Sequence, residues 1–146
     1  MSDGPTSDGP PSHGPTSPGR TSSSGPTFEL RSTVLGARDP ERLGRFWADL
    51  LGWELFVDDE TWCRVRPGAD RPGLSIQLEA LHVPPAWPAG EGEQQMQMHL
   101  DVQVDDVAAA VRRALELGAT LEEHQPQEDV RVLRDPEGHP FCLFVD

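Results

Sequence analysis

The order of one strand, one helix and three strands occurs twice along this chain, and this repetition constrains the fold more than any other feature. The predicted strands are short apolar or alternating segments, most of them next to Gly, Pro or Asp. The strand segments of the first copy are 28–36, 53–58, 61–67 and 73–80, and those of the second are 96–104, 120–124, 129–135 and 140–146. The copies are offset by about 66 residues, which is too long for a solenoid repeat, so they predict two halves of one domain.

Each copy contains a helix with recognisable ends. In the first, Asp39 is placed to cap the helix, Pro40 suits its first position, and Gly52 is placed to end it. In the second, Asp105 or Asp106 provides the cap and Gly118 the end. Apolar residues recur at helical spacing, at Leu43, Phe46, Trp47, Leu50 and Leu51 in the first helix and at Val107, Ala110, Val111, Ala114 and Leu115 in the second. We therefore expect each helix to back one sheet, with Phe46, Trp47 and Trp53 packing the first helix against its own sheet.

Composition divides the chain into a leader and one domain. Residues 1–26 are almost entirely Gly, Pro, Ser, Thr and Asp, and such a segment cannot bury enough apolar surface to offset the entropy of ordering it. This composition predicts a disordered leader. The domain is predicted to span 27–146, with module one at 27–79, a Pro- and Gly-rich linker at 80–95 and module two at 96–146.

Charge and cysteine content narrow the classes of partner and compartment. The net charge is −13, from 25 acidic and 12 basic residues, which argues against nucleic-acid binding. The acidic surface is compatible with a cationic ligand, and it also serves solubility alone. No apolar run is long enough to cross a bilayer and no secretory signal pattern is present, so we expect a cytoplasmic protein that does not bind a membrane. Cys63 and Cys142 lack the spacing of a disulfide framework or a CxxC motif.

Two stretches carry a resemblance to a known family. The first is "RDPERLGRFWADLLGWEL", and the second is "HLDVQVDDVAAAVRRALELGA" followed by "DPEGHPFCLF". In this order and spacing they resemble the vicinal oxygen chelate superfamily of glyoxalase I, bleomycin-resistance proteins and extradiol dioxygenases, and within it the glyoxalase-like domain branch. The resemblance covers Phe28 to Val145. It implies an α+β fold in which two tandem βαβββ modules form curved mixed sheets around a shared cavity.

The resemblance also implies where metal ligands would stand. Metal-dependent members have one ligand seven residues before each helix-capping Asp, which are Ser32 and His99 here. They have another on each last strand, which is Cys142 in module two and Gln77, or less favourably Glu79, in module one. Ser and Gln are poor ligands where imidazole and carboxylate are usual. We therefore expect no cofactor and no family metal site, and if a divalent metal binds at all, His99, Glu79 and Cys142 are the expected ligands.

Strand alternation assigns several of these side chains to the cavity. His99 alternates with Met98 and Leu100, which places it on the polar face of its strand as the candidate catalytic residue or a ligand contact. Cys142 alternates with Phe141 and Leu143 and should lie near His99. It is either a thiolate nucleophile or a small hydrophobic filler, and the filler interpretation is favoured.

Other residues complete the predicted ligand-binding set of His99, Gln77, Cys142, Ser32, Trp62, Arg64 and Trp87. Trp62, Arg64 and Arg66 share one face of their strand, where Trp62 could form a cavity wall and Arg64 could anchor a carboxylate, or both could simply be solvated. Trp87, in the linker, either covers the cavity mouth or is a hydrophobic plug. We expect His82, His124 and His139 at the surface.

These observations favour three hypotheses. The leading one is a protein that binds a small organic, apolar or aromatic molecule in the inter-module cavity without the family metal. The second is a metal-dependent lyase, isomerase or dioxygenase with an atypical ligand set. The third is a resistance protein whose acidic surface sequesters a cationic drug. Family members often pair modules across subunits, so a homodimer is also expected.

Overall fold

The computed structural model describes residues 25–68 and 70–145, so the predicted disorder of the leader falls almost wholly outside the described residues. Module one contains β1 (Ser32–Ala37), α1 (Pro40–Leu51), β2 (Glu54–Asp59), β3 (Trp62–Arg66) and β4 (Gly73–Leu78). Module two contains β5 (Leu100–Gln103), α2 (Val107–Leu117), β6 (Thr120–Leu121), β7 (Val130–Arg134) and β8 (Pro140–Phe144). None of the described helices is long and apolar enough to span a membrane.

The two modules build equivalent mixed sheets. The first sheet has the order β1-β4-β3-β2 and the second has the order β5-β8-β7-β6. The helix carries the chain across the sheet, so β1 pairs in parallel with β4 and β5 with β8, whereas the remaining pairs are antiparallel. The predicted α+β fold of two βαβββ modules is confirmed.

The helix ends are formed by the capping residues. The carboxylate of Asp39 accepts a hydrogen bond from the Arg42 amide at 3.0 Å, and α1 ends at Gly52 with a left-handed φ of 67°. In α2 the cap is Asp106, which accepts from the Ala109 amide at 2.9 Å. The alternative left open by the sequence, Asp105 or Asp106, is thereby resolved.

Two strands are shorter than their sequence patterns predict, because a strand extends only as far as its partner. The first pair of β1 and β4 joins Ser32 to Gly73, and the earlier Phe28 is 92% exposed. The first pair of β5 and β8 joins Leu100 to Phe141, since β8 starts at Pro140, which has no amide to donate. The predicted strand starts at Phe28 and Met96 are therefore wrong.

Aromatic packing joins the modules. The ring of Trp47, fully buried in α1, lies 5.3 Å from the ring of Phe46 and 5.1 Å from that of Phe141 in β8. These edge-to-face contacts show that the α1 aromatics pack against module two as well as against their own sheet. Within module one, Gly44 lets α1 approach the sheet closely, because a Cβ there would lie 2.6 Å from the Cys63 sulfur and 2.9 Å from Leu55 Cδ1.

Candidate ligand-binding site

The predicted site residues fall into two groups on two different sheets. Ser32, Gln77, Trp62 and Arg64 lie on the first sheet, on the face opposite to the buried Cys63, Val65 and Ile76. His99 and Cys142 lie on the second sheet, and Trp87 lies against them. Among the described residues, no Cα atom of a strand in one sheet lies within 8 Å of a Cα atom of a strand in the other. The structure therefore does not gather the predicted set into one cluster.

On the first sheet, a chain of hydrogen bonds occupies Ser32. Its hydroxyl lies 2.7 Å from the hydroxyl of Ser75, which is only 1% exposed and in turn accepts from Arg66 Nη2 at 3.1 Å. Gln77 is exposed and donates its amide to the Glu79 carboxylate at 2.8 Å. Both predicted module-one ligand positions are thus neutral groups that already have protein partners.

Arg64 occupies the centre of the same face. Its Nε and Nη2 donate to the two oxygens of Asp58, each at 2.7 Å, and its guanidinium lies 5.2 Å from the centre of the Phe56 ring. The hydrogen bonds from Arg64 lower the pKa of Asp58. Across the strands, Arg64 is opposite Ser75, and Trp62, two residues earlier, is opposite Gln77.

On the second sheet, His99 and Cys142 lie close to the carboxylate of Asp101, which the sequence did not predict as a site residue. His99 Nε2 lies 3.1 Å from Asp101 Oδ1, and Asp101 is the register partner of Cys142. Donor atoms of the three residues all lie within 4.8 Å of one another. Burial, followed by the negative charge of Asp101, raises the pKa of the Cys142 thiol to about 11. At neutral pH the thiol is therefore protonated, which disfavours a resting thiolate nucleophile.

The linker covers this part of the second sheet. Trp87 closes a cavity of about 20 Å³ together with Met96, His99, Val132, Pro140 and Cys142. Arg134 Nη1 donates to the Pro85 carbonyl of this segment at 2.7 Å, and within the segment the Ala86 amide donates to the Gln94 carbonyl at 2.9 Å. Within the described chain the buried Nε1 of Trp87 has no hydrogen-bond partner. Trp87 therefore packs over His99 and Cys142, and its role as a cover of the cavity mouth or as a hydrophobic plug stays a prediction.

The spaces beside His99 are small, whereas a larger concavity lies on the first sheet. A cavity of about 30 Å³ between the modules is lined by residues that include Thr33, His99 and His139. This volume suits about one water molecule and is far below the roughly 300 Å³ of the smallest usual ligand pockets. The concavity on the first sheet has about 260 Å³, close to this lower limit, and is lined by Arg31, Glu54, Phe56, Arg64, Arg66 and Gly68.

His139 is not the surface residue that the sequence suggested. Its Nδ1 lies 2.8 Å from the carboxylate of Asp135, which is buried, and its ring lies 4.7 Å from that of His82. Asp135 also accepts from the indole of Trp47 at 3.2 Å and from the His139 amide at 3.0 Å. The Asp-to-His spacing across the turn was the available signal. His124 is exposed, as predicted.

The residues at the four family positions do not fit a divalent metal. Two of them, Ser32 and Gln77, offer neutral oxygens on the first sheet, and the other two, His99 and Cys142, lie on the second. The one group of three or more potential ligands found among the described residues is His99, Asp101 and Cys142, and it does not include Glu79. Among the described residues, the ligands available to a metal therefore come from module two.

Comparison with known proteins places the chain in a family. Residues 32–144 match the family model of the glyoxalase-like domain, and the chain belongs to this family, within the vicinal oxygen chelate superfamily. A search of curated proteins found no match.

Solved structures confirm the fold at low sequence identity. A glyoxalase/bleomycin resistance protein/dioxygenase family enzyme from Burkholderia phytofirmans has a TM-score of 0.60 and 16% identity, over 81% of this chain and 98% of that one. Glyoxalase I of Leishmania major has a TM-score of 0.55 and 16% identity, over 82% and 87%. TnmS3, an antibiotic binding protein from a Streptomyces species, has a TM-score of 0.50 and 19% identity, over 82% and 96%.

Proposed function

We propose that this protein binds a small organic molecule on the open face of the first sheet, without the family metal. The observation that carries the proposal is the concavity of about 260 Å³ on that face. Phe56, on its wall, offers aromatic surface and Arg64 a polar contact, and Trp62 and Gln77 lie beside the concavity on the same face of the sheet. Small-molecule sites usually combine aromatic surface with a few polar groups; here one wall is aromatic and four of the six lining residues are charged.

The contrast between the two sheets favours this location over the predicted inter-module cavity. On the second sheet, Trp87 already fills the space next to His99 and Cys142 and leaves about 20 Å³. On the first sheet, Phe56 is 37% exposed and Val34 is 48% exposed. The resemblance to an antibiotic binding protein is compatible with a binding role. The expected homodimer stays a prediction.

A fluorescent probe tests the proposal. The neutral aromatic dye phenylnaphthylamine brightens when it enters an apolar site, and we expect saturable binding to the full chain. Trp62→Ala should weaken this binding at least about tenfold, because stacking and area burial by one aromatic side chain are worth roughly 1.5–3 kcal/mol. Trp87→Ala is the matched control and should leave the affinity within about twofold. Binding that depends on Trp87 and not on Trp62 would move the site to the second sheet and refute the proposal.

The rival hypothesis is a metal-dependent lyase, isomerase or dioxygenase, and the group of His99, Asp101 and Cys142 is the observation that favours it. Elemental analysis of protein purified without tag or chelator, then supplied with Zn²⁺, Fe²⁺, Mn²⁺ or Ni²⁺, separates the two. If the wild type holds stoichiometric metal and His99→Ala does not, the metal-dependent enzyme is the better hypothesis and the metal-free binder is rejected. We expect less than stoichiometric metal in the wild type and no change in the variant.

A further inference from the structure

We propose that the ligand of the open face carries an anionic group, a carboxylate or sulfonate on an aromatic body, and that Arg66 binds this group. This inference rests on the proposed function and names the ligand class of the same site. It reverses the expectation from composition, since a chain with net charge −13 would by its overall charge attract cations.

Arg66 differs from the other arginines of this face in its partners. Arg64 is paired with Asp58, and Arg31 with Glu29. Arg66 instead donates to neutral groups, namely the Val65 carbonyl at 3.2 Å, the Leu74 carbonyl and the Ser75 hydroxyl at 3.1 Å. No carboxylate of the described chain forms an ion pair with it, although Glu54 is its register partner on β2. Arg66 therefore has no ion-pair partner among the described residues, although Asp58 acts on its charge and Glu54 lines the same concavity.

The hydrogen bonds orient the guanidinium group and leave one edge of it available. Nη1 serves the two carbonyls and Nη2 serves Ser75, so Nε and a second N–H of Nη2 remain from the five donors of an arginine. Arg64 uses the same pair, Nε and Nη2, to hold both oxygens of Asp58. A ligand carboxylate could bind Arg66 in the same bidentate way.

The site is built into the sheet. A Cβ at Gly73 would lie 2.4 Å from the Val65 carbonyl oxygen and 3.0 Å from Arg66 Cδ, so the arginine stem crosses the strand where only glycine leaves room. Ser75, which is 1% exposed, links the guanidinium to Ser32. An arginine fixed in this way loses little side-chain entropy on binding, which favours affinity.

The surrounding charges act on an anion in both directions. Arg31, Arg64 and Arg66 line one concavity together with Glu54, and since Arg31 and Arg64 each have a carboxylate partner, Arg66 carries the attraction for an anion. Burial and then the positive charges of Arg64 and Arg31 lower the pKa of Arg66, which indicates that the cations lie close enough to repel one another. An anion placed between them would relieve this repulsion, and the Phe56 ring beside Arg64 could contact its aromatic body.

Two dyes that differ in one sulfonate group test the inference. Anilinonaphthalenesulfonate is the sulfonated counterpart of phenylnaphthylamine, so the ratio of their dissociation constants isolates the anionic group. We expect the sulfonate to bind about tenfold tighter or more, since hydrogen bonds to charged groups are the stronger ones. Raising the salt concentration should reduce this preference.

The variants assign the preference to a residue. Arg66→Met should bring the two affinities to within about twofold of each other while phenylnaphthylamine still binds. Arg66→Lys, which keeps the charge without the planar fork, should retain part of the preference. Arg112→Met, at an exposed position of α2, is the matched control and should change nothing. Circular dichroism and thermal unfolding of each variant confirm that it is folded.

The outcomes separate this inference from the proposed function. If the wild type binds both dyes equally, or if Arg66→Met and Arg66→Lys keep the full preference in folded protein, the anionic ligand class is wrong and the binding function stands. If neither dye binds in a manner that depends on Trp62, the proposed function fails and the inference fails with it.

Discussion

The thiol of Cys142 offers a quantitative test of the second sheet. Its pKa is raised from 9.0 to about 11, first by burial and then by the charge and hydrogen bond of Asp101. At pH 8 a thiol with a pKa of 9.0 is ionised to about one part in ten, and one with a pKa of about 11 to about one part in a thousand. Only the thiolate reacts with an alkylating agent. At pH 8 the alkylation rate of Cys142 should therefore be about 100-fold lower than that of an equally accessible thiol with a pKa of 9.0.

The assay follows iodoacetamide labelling of Cys142 by mass spectrometry in a Cys63→Ser background as a function of pH. Fitting the pH profile gives the pKa independently of steric access, which only scales the rate. The wild-type profile should still be rising at pH 10. Asp101→Asn removes the charge that opposes ionisation, so it should lower the pKa and raise the rate at pH 8. The increase should stay below about 100-fold, because burial is the larger cause and remains.

Asp105→Asn, a nearby exposed acid that does not contribute to the shift, serves as the control and should leave the profile unchanged. A wild-type midpoint at or below pH 9 would refute the reasoning and revive Cys142 as a nucleophile. An unchanged profile in Asp101→Asn would show that the carboxylate does not act on the thiol as the geometry indicates.

Three further predictions concern side-chain packing and the hydrogen bond that holds the linker. Phe141→Ala should lower the free energy of unfolding, measured in urea, by roughly 3–5 kcal/mol, because the ring is fully buried between the modules. A loss of less than about 1 kcal/mol would show that Phe141 does not hold the modules together. Gly44→Ala should lower the free energy of unfolding by roughly 1–3 kcal/mol, because the added Cβ would lie 2.6 Å from the Cys63 sulfur. This loss should outweigh the better helix propensity of Ala. A stabilised variant would show that α1 can shift away from the sheet. Arg134→Met should speed hydrogen exchange of the linker amides, because Arg134 donates to the Pro85 carbonyl at 2.7 Å. Unchanged exchange at the Ala86 amide would show that other contacts hold the linker.

The fold was predictable because its signals are local. Asp39 and Gly52 mark the ends of α1 by their own backbone and side-chain preferences, and the structure places them at those positions. Alternation in β8 also predicted that Phe141 and Leu143 face the core while Cys142 does not. Strand ends were not predictable in the same way, since Met96 and Phe28 lie in strand-like sequence that has no partner strand to pair with.

The site was less predictable because it depends on contacts distant in sequence. The pairing of Asp101 with Cys142 requires the parallel register of β5 and β8, which no local pattern reveals. The position of Trp87 depends on where the linker lies, and its proline-rich sequence fixes no direction. Arg66 was assigned correctly to one face of β3, but its hydrogen bonds to Leu74 and Ser75 depend on the register of β3 with β4.

The differences between the two sheets explain why a duplicated fold need not give a symmetric site. Both modules present one polar sheet face, but among the described residues the linker covers that of the second, and Trp87 fills the space there. On the face of the first sheet, Arg66 donates a hydrogen bond to the buried Ser75, which in turn contacts the hydroxyl of Ser32. Ser32 occupies the position at which metal-dependent relatives would have a metal ligand. A fixed guanidinium can supply the positive charge that a metal ion supplies elsewhere, but it recognises an anion by hydrogen bonds without acting as a Lewis acid. The anion selectivity that we propose for this face would then take the place of metal chemistry on the same fold.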